Sequence, residues 1–291
     1  VHPTVVPWEA HITELWQPPF DLADRDLVDG PWGRGRAPNP TDSFQLIGMN
    51  HLGVERDLTV LDNEERVWHV RQPDHVGRVA HGDSGVVLSR VLSAVGYHQP
   101  PVYFLRTFSL VDGSGVHVQS GGRFLLDERL LRDRGCWRWE RNPFVGTTPY
   151  QALLVILMMF NGNDLTDDNN HLYEFHEQAE HTSTWYVVGN LANDLGERRF
   201  RLQPAVERQR LPTLSRFEGP YISFEYAGHQ ESTRIHISRH DVWWASRLLA
   251  GLTDRQWRDA FAAAGYQPDA AAPFIGRLKN RVAEGLRLGS E

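Results

Sequence analysis

The sequence predicts an α+β fold in two lobes, and three observations carry that prediction. The first half holds short runs that alternate apolar and polar residues, Asp57-Leu-Thr-Val-Leu-Asp62 and Arg66-Val-Trp-His-Val-Arg71 among them, with one apolar helix in their midst. The last fifty residues read as three helices in succession. Between the two halves lie a long apolar helix, a polar loop from Asn161 to Asn170 and a short hairpin. Strands first and helices later, rather than in alternation, is the order of an α+β chain. The boundaries that follow are an N-terminal arm over 1–43, a small β-rich lobe with one helix over 44–141, and a larger helix-rich lobe over 142–291.

The arm is rich in Pro, Trp, Asp and Gly and has little periodicity. A flexible linker seldom carries tryptophans, so Trp8, Trp16 and Trp32 point to an extended segment laid on the domain, its rings filling surface grooves. The two alternating runs form a hairpin around Asn63-Glu-Glu. Ile47-Gly-Met-Asn-His-Leu-Gly53 reads as an ordinary turn before them. Asp83-Ser84 makes an N-cap for a helix running through Val86, Val91 and Val95, and Gly96 closes it. Strands follow at 100–111 and 122–126. Pro149 to Phe160 is the long apolar helix, short strands follow at 172–175 and 185–188, and the helical tail occupies 241–251, 253–265 and 273–288. Thr253-Asp-Arg-Gln256 carries a capping-box pattern.

Composition narrows the chemistry. The chain has 291 residues, 41% of them hydrophobic, which is ample for a core. Its formal charge of −7 argues against a nucleic-acid partner, since such proteins present a basic face. Of the 30 basic residues one is a lysine, Lys279, so 29 are arginines. Mechanisms that need a lysine elsewhere, such as a Schiff base or a phosphate-gripping lysine on a loop or strand, are excluded. The lone Cys136 rules out an intrachain disulfide and a multi-cysteine metal site, and reads as an idle thiol. The most apolar run, Ala152 to Phe160, is nine residues, too short for a membrane span. A soluble protein is expected, cytoplasmic or exported after N-terminal processing.

Several constellations have plain structural readings. His176-Glu177-x-x-x-His181 has one residue too many for the zinc-protease pattern and reads as a solvated loop. Trp137-Arg-Trp139 reads as an arginine stacked on a ring. Asn142-Pro-Phe-Val-Gly-Thr147 reads as the link between lobes, with Asn142, Phe144 and Thr147 bordering any cleft there.

The polar loop carries the functional signal. Asp164 is followed after four residues by Asn169, behind an apolar helix and ahead of a hairpin. That spacing in that context resembles a protein-kinase catalytic loop. More broadly, Ser89 to Pro101, Asn142 to Thr147, Leu153 to Tyr173 and Trp243 to Tyr266 resemble uncharacterised bacterial proteins with a protein-kinase-like fold, related to atypical kinases of the HipA or CotH sort. The resemblance covers roughly residues 44–288 and implies a two-lobed kinase-like fold. It implies Asp164 as the group that accepts a proton from a hydroxyl, and Asn169 as a catalytic-loop residue holding a metal ion.

Three positions depart from the pattern. The strand lysine is Arg71, Gly85 stands where the helix would carry its glutamate, and Asn190 replaces the aspartate of Asp-Phe-Gly. Arginine has a bulkier fork that needs a different phosphate pose, and asparagine grips Mg²⁺ less well than a carboxylate. These losses count against ATP as a cofactor; Mg²⁺, held by Asn169 and Asn190 with help from Asp167, Asp168 or Asp194, is the metal the loop allows. The expectation is therefore a repurposed kinase-fold enzyme acting on a small molecule. Asp164 is its acid or base, Asn169 its loop partner, and Arg71, Asn190 and Asn142 bind substrate, with Arg71 on an anionic or carbonyl group. A non-catalytic pseudokinase and an atypical phosphotransferase are the alternatives.

Overall fold

The structure, a computed structural model, describes residues 9–52, 55–73, 82–161, 165–178, 181–189, 214–218, 221–224 and 236–289. Mixed helix and sheet make it an α+β protein. Five strands close into a barrel in the order β1-β2-β3-β5-β4: β1 (Ser43–Leu52), β2 (Glu55–Leu61), β3 (Val67–Pro73), β4 (Val102–Asp112) and β5 (Gly115–Leu126). All pairs are antiparallel except the closing one, where Ser43–Gln45 of β1 runs parallel to Ser109–Val111 of β4.

The alternation read from the sequence decides which side chains fill the barrel. Leu58, Val60, Trp68, Val70, Phe124 and Leu126 are buried inside, packed with Phe44, Tyr103, Phe108 and Leu110. Their strand neighbours Asp57, His69, Arg71, Arg123 and Leu125 fall on the opposite face, because successive side chains on a strand point to opposite sides. The aromatic core is tight, with Phe124 centred 5.0 Å from both Phe44 and Phe108 and 5.9 Å from Trp68.

Of the turn expected over Ile47–Gly53, Ile47 to Leu52 belongs to β1, and Gly53 lies outside the described residues. A bulge between Leu46 and Gly48 places one extra residue, the exposed Ile47, in the strand. The glycine marks an irregularity in pairing rather than a reversal.

Helix α1 (Ser84–Ala94) lies between β3 and β4. The Asp83 side chain accepts a hydrogen bond from the backbone N–H of Val86, as the N-cap reading expects. Gly96 follows the helix at φ +105°, a conformation that disfavours a Cβ.

Helix α2 (Thr148–Met159) is apolar all round and buried all round, which makes it the centre of the second half. α3 (Arg239–Ala250) packs on it, and α4 (Asp254–Ala263) and α5 (Pro268–Arg287), α5 against α3 and α4, complete the same core. α5 starts five residues earlier than the sequence suggests, because Pro268 occupies the first turn, where its missing N–H costs nothing. A three-stranded sheet, β6 (Leu131–Asp133), β7 (Asn170–Gln178) and β8 (His181–Val188), flanks the helices. β6 is too short to register as a strand in the sequence. β9 (Leu214–Glu218) and β10 (Tyr221–Phe224) form a separate hairpin.

Trp137 and Trp139 are buried with their rings 4.7 Å apart, edge to face, while Arg138 is exposed. The arginine is therefore not sandwiched between them; burial of two indoles outweighs one exposed cation–π contact.

The arm is docked along its described length. Trp16 Nε1 donates to Val95 O at 2.8 Å, Arg25 Nη1 to Ser93 O at 3.0 Å and Trp32 Nε1 to Gln99 O at 2.9 Å. The tryptophans do fill grooves, but each also hooks a carbonyl at or just beyond the end of α1. Trp8 lies outside the described residues.

Thr253 and Gln256 form the expected capping box at α4. Gln256 also donates from Nε2 to Leu22 O at 2.7 Å and Arg25 O at 3.0 Å, so one side chain starts the helix and holds the arm. Gln256→Ala is expected to cost about 1–3 kcal/mol, combining a lost cap with the loss of both hydrogen bonds to the arm. Urea unfolding checks it; a change below about 0.5 kcal/mol, the scale of a neutral surface substitution, contradicts it.

Candidate functional site

A cleft of ≈ 500 Å³ lies between the outer face of the barrel, the first turns of α1 and the β7–β8 hairpin. Its upper wall is a row across three strands. Asp57 on β2 stands opposite Arg71 on β3, and Arg71 stands opposite Arg123 on β5. His69 and Leu125 form the next row along. Gly85 and Ser89 of α1 also line the cleft. The segment after β5 and the strand β6 contribute Asp127, Glu128 and Asp133, and the lower wall consists of Asp168, Asn169, His171, Tyr173, Val188 and Gly189.

Charges of both signs line this space. Arg71 and Arg123 line it from the barrel, as does Asp127 just beyond β5, while Asp133 and Asp168 come from β6 and the loop before β7. Glu128 is engaged with the arm, accepting from Arg36 Nε at 2.6 Å. The negative field of the carboxylates is visible in Cys136: burial pushes its thiol up, and the carboxylates of Asp133, Asp168 and Asp167 push it further. A thiol in such surroundings is held away from the thiolate form, in keeping with the idle-cysteine reading.

The loop residues are held by short-range bonds. Asp167 Oδ1 accepts from the backbone N–H of Trp139 at 3.0 Å, so that acid anchors the loop to the segment before α2. Asn169 Nδ2 donates to Thr166 Oγ1 at 2.7 Å, and its carbonyl accepts from Gly189 N at 2.8 Å. A Cβ on Gly189 would lie 2.7 Å from that carbonyl and 2.6 Å from His171 Cδ2, so only glycine lets the end of β8 approach the loop this closely. His171 Nδ1 faces Asp133 Oδ2 at 3.0 Å, and the ring stacks on Tyr173 at 5.5 Å.

Of the residues singled out in the sequence, Arg71 and Asn169 both line the cleft. Asn142 does not line it. Its Nδ2 donates to Arg138 O and Trp139 O, each at 3.0 Å, and its Oδ1 accepts from Phe144 N at 2.9 Å. An asparagine spent on its own turn has no polar atom to offer a substrate. Asp164, Asn190 and Asp194 lie outside the described residues.

Two contributors were missed. Arg123 is the direct cross-strand partner of Arg71, and its Nη1 lies 3.6 Å from Asp83 Oδ1. α1 does lack an acid, as read, but its cap supplies one to the neighbouring strand. The signal was present: Arg123 breaks the apolar run 122–126 at the position that faces out of the barrel. The second is Ser89, buried on α1.

The donor set bears on a metal. Among the described residues no three His, Cys, Asp or Glu side chains come together as a metal-holding group. His176 pairs with Glu174 at 3.4 Å within the hairpin, as a solvated strand residue does. Among the described residues no helix is long and apolar enough to cross a membrane.

No family model matches the chain, and no curated protein matches it. Among solved structures it is similar to the crystal structure of the Golgi casein kinase with Mn/ADP bound, at 9% identity and a TM-score of 0.38, over 86% of this chain and 73% of that one.

Proposed function

We propose that the chain is a repurposed enzyme with a two-lobed, protein-kinase-like fold, acting on a small molecule in the cleft by chemistry other than ordinary ATP-driven phosphoryl transfer. The arm over 1–43, the small lobe over 44–141 and the larger lobe over 142–291 are its parts. Asp164 is the acid or base, Arg71 holds an anionic or carbonyl group of the substrate, and Asn169 and Asn190 are its polar neighbours.

One observation carries the reading: Arg71 and Asn169, far apart in sequence and singled out by the same motif plan, line one cleft of ligand size. Glycine at 85 and arginine at 71 argue against a nucleotide triphosphate. So do the carboxylates in the lining, Asp127, Asp133 and Asp168, which would repel a run of phosphates.

Thermal melting with Mg-ATP is expected to show no shift at millimolar nucleotide. A shift with turnover would make the protein an atypical phosphotransferase, and a shift without turnover a pseudokinase. A turnover screen over small acids tests the enzyme reading itself. In whatever reaction that screen finds, Asp164→Asn is expected to reduce the rate by about 10²–10⁴-fold, the usual contribution of a general acid or base, with an unchanged melting temperature. Full activity in that variant removes Asp164 from the mechanism.

A further inference from the structure

The reaction scheme above leaves one pair of cleft residues unused, Asp133 and His171. They lie on neighbouring strands, and backbone pairing brings them together. Asp133 ends β6 opposite Tyr173 of β7. Just beyond, Arg134 N donates to Leu172 O and Leu172 N to Gly135 O, both at 2.8 Å. His171 Nδ1 then stands 3.0 Å from Asp133 Oδ2. The carboxylate is held in turn, since its Oδ1 accepts from Gly135 N at 2.7 Å.

The ring has two further supports. It stacks on Tyr173, with centroids 5.5 Å apart and planes 17° off parallel. Its other edge lies beside Gly189, where an added Cβ would come within 2.6 Å of Cδ2 and 3.0 Å of Nε2. Tyr173 and Gly189 also line the cleft, so the Nε2 edge belongs to its wall. A carboxylate only accepts hydrogen bonds, which makes the nitrogen facing Asp133 the donor. A neutral imidazole then carries its lone pair on Nε2. Among the described residues that atom has no hydrogen-bond partner, and the side chain is 31% exposed.

We propose that His171 contacts the substrate: its Nε2 accepts a hydrogen bond from a hydroxyl or ammonium group, and Asp133 is the positioning residue that fixes the tautomer and the ring. The acceptor is oriented before a ligand arrives, so little order has to be imposed on binding. A site of this kind selects for a hydrogen-bond donor at that point. An ether oxygen in place of the hydroxyl would leave Nε2 unpaired, and such analogues are rejected more strongly than molecules that differ by a methylene. This inference rests on the cleft being the substrate site. It adds two residues outside the loop motif and does not depend on Asp164.

Histidine ¹⁵N NMR at about pH 9, above the usual histidine range, tests the tautomer. His171→Gln identifies the two ring resonances by their loss. The parent is expected to carry hydrogen on Nδ1, and Asp133→Ala, which removes the acceptor, should move it toward Nε2. A parent with hydrogen on Nε2 overturns the proposal. Ethylene glycol and ethylammonium chloride, titrated at constant ionic strength, test the contact and separate its two sources. At least one is expected to move the Nε2 resonance saturably, and about threefold or more weakly in Asp133→Ala, the scale of one neutral hydrogen bond.

The expected tautomer with both probes silent would overturn the contact and leave Asp133 and His171 as a structural pair. In a reaction found by the turnover screen, His171→Leu should raise KM about threefold or more, and His171→Gln, whose amide keeps an acceptor, should restore part of it. Equal KM for the parent and His171→Leu would also overturn the contact. A probe that moves Nε2 as expected, in a protein that turns over no small molecule, would support the contact and count against the enzyme reading instead.

Discussion

An Asp62→Ala variant is expected to lose about 3–5 kcal/mol of stability, the cost of removing one member of a buried ion pair and stranding its partners. Asp62 closes the β2–β3 turn with its side chain fully buried. One oxygen accepts from the indole Nε1 of Trp68 at 2.9 Å and from Arg66 Nε at 2.6 Å. The other accepts from the backbone N–H groups of Glu64 and Arg66, both at 2.9 Å. Alanine would leave a buried indole N–H without an acceptor and the Arg66 guanidinium with its longer contacts to Glu64 Oε2 and Ala37 O, both at 3.5 Å, next to the aromatic core of the barrel. Asp62→Asn retains acceptor capacity and should cost about 1–3 kcal/mol. Urea denaturation of the two variants reads the difference; equal midpoints for parent and Asp62→Ala would refute the account.

The same carboxylate gives a pH dependence. Burial pushes its pKa up, but the hydrogen bonds from Trp68, Arg66 and Glu64 together outweigh burial and hold it below the usual carboxylate range. The folded state therefore binds this proton less tightly than the unfolded chain. The stabilisation is complete above the unfolded value, about 3.9, and disappears as pH falls through the lower folded value. Stability should drop on acidification below about pH 4, and Asp62→Asn should flatten that part of the curve. A parallel profile for parent and variant would assign the acid sensitivity to other carboxylates.

Gly96→Ala is expected to cost roughly 3 kcal/mol and to release the arm. Gly96 has φ +105°, where a non-glycine residue is strained. A Cβ there would also lie 2.0 Å from Gln17 O and 2.8 Å from Trp16 Nε1. The first of these is backbone and cannot swing aside. Its displacement breaks the bond from Gln17 N to Gly96 O, 2.9 Å, and the indole bond to Val95 O. Limited proteolysis should cut within 9–43 faster in the variant, at a lower melting temperature. Unchanged cleavage and melting would mean that the arm is held elsewhere, with Gln256 the next contact to test.

Much of the local structure was legible in the sequence. The cap at Asp83, the capping box at Thr253, the stop at Gly96 and the hairpin around residues 63–65 were all read correctly. Each depends on residues within four positions of one another. The errors share a cause as well. Asn142 looked like a cleft residue because it lies in the link between the halves, but its three bonds stay within four residues of itself. The turn over Ile47–Gly53 was argued from two glycines, of which Gly48 sits beside a bulge within β1 and Gly53 lies outside the described residues. β6 has three residues and no pattern of its own; its pairing with β7 makes it a strand.

By itself, the sequence determined the helices and most of the barrel strands in order, the caps that start and stop them, and the absence of any lysine but Lys279, which forms an ion pair with Asp254. These follow from hydrogen bonds between near neighbours, from two-residue and 3.6-residue periodicities, and from counting. Only the tertiary structure decided that Arg71 has Arg123 beside it, that the cap of α1 is an acid Arg123 meets, and that Ser89 is buried in the lining of the same cleft. A strand's alternation says that one face differs from the other. Which distant charge that face meets is set by inter-strand register and by the packing of α1 on the barrel.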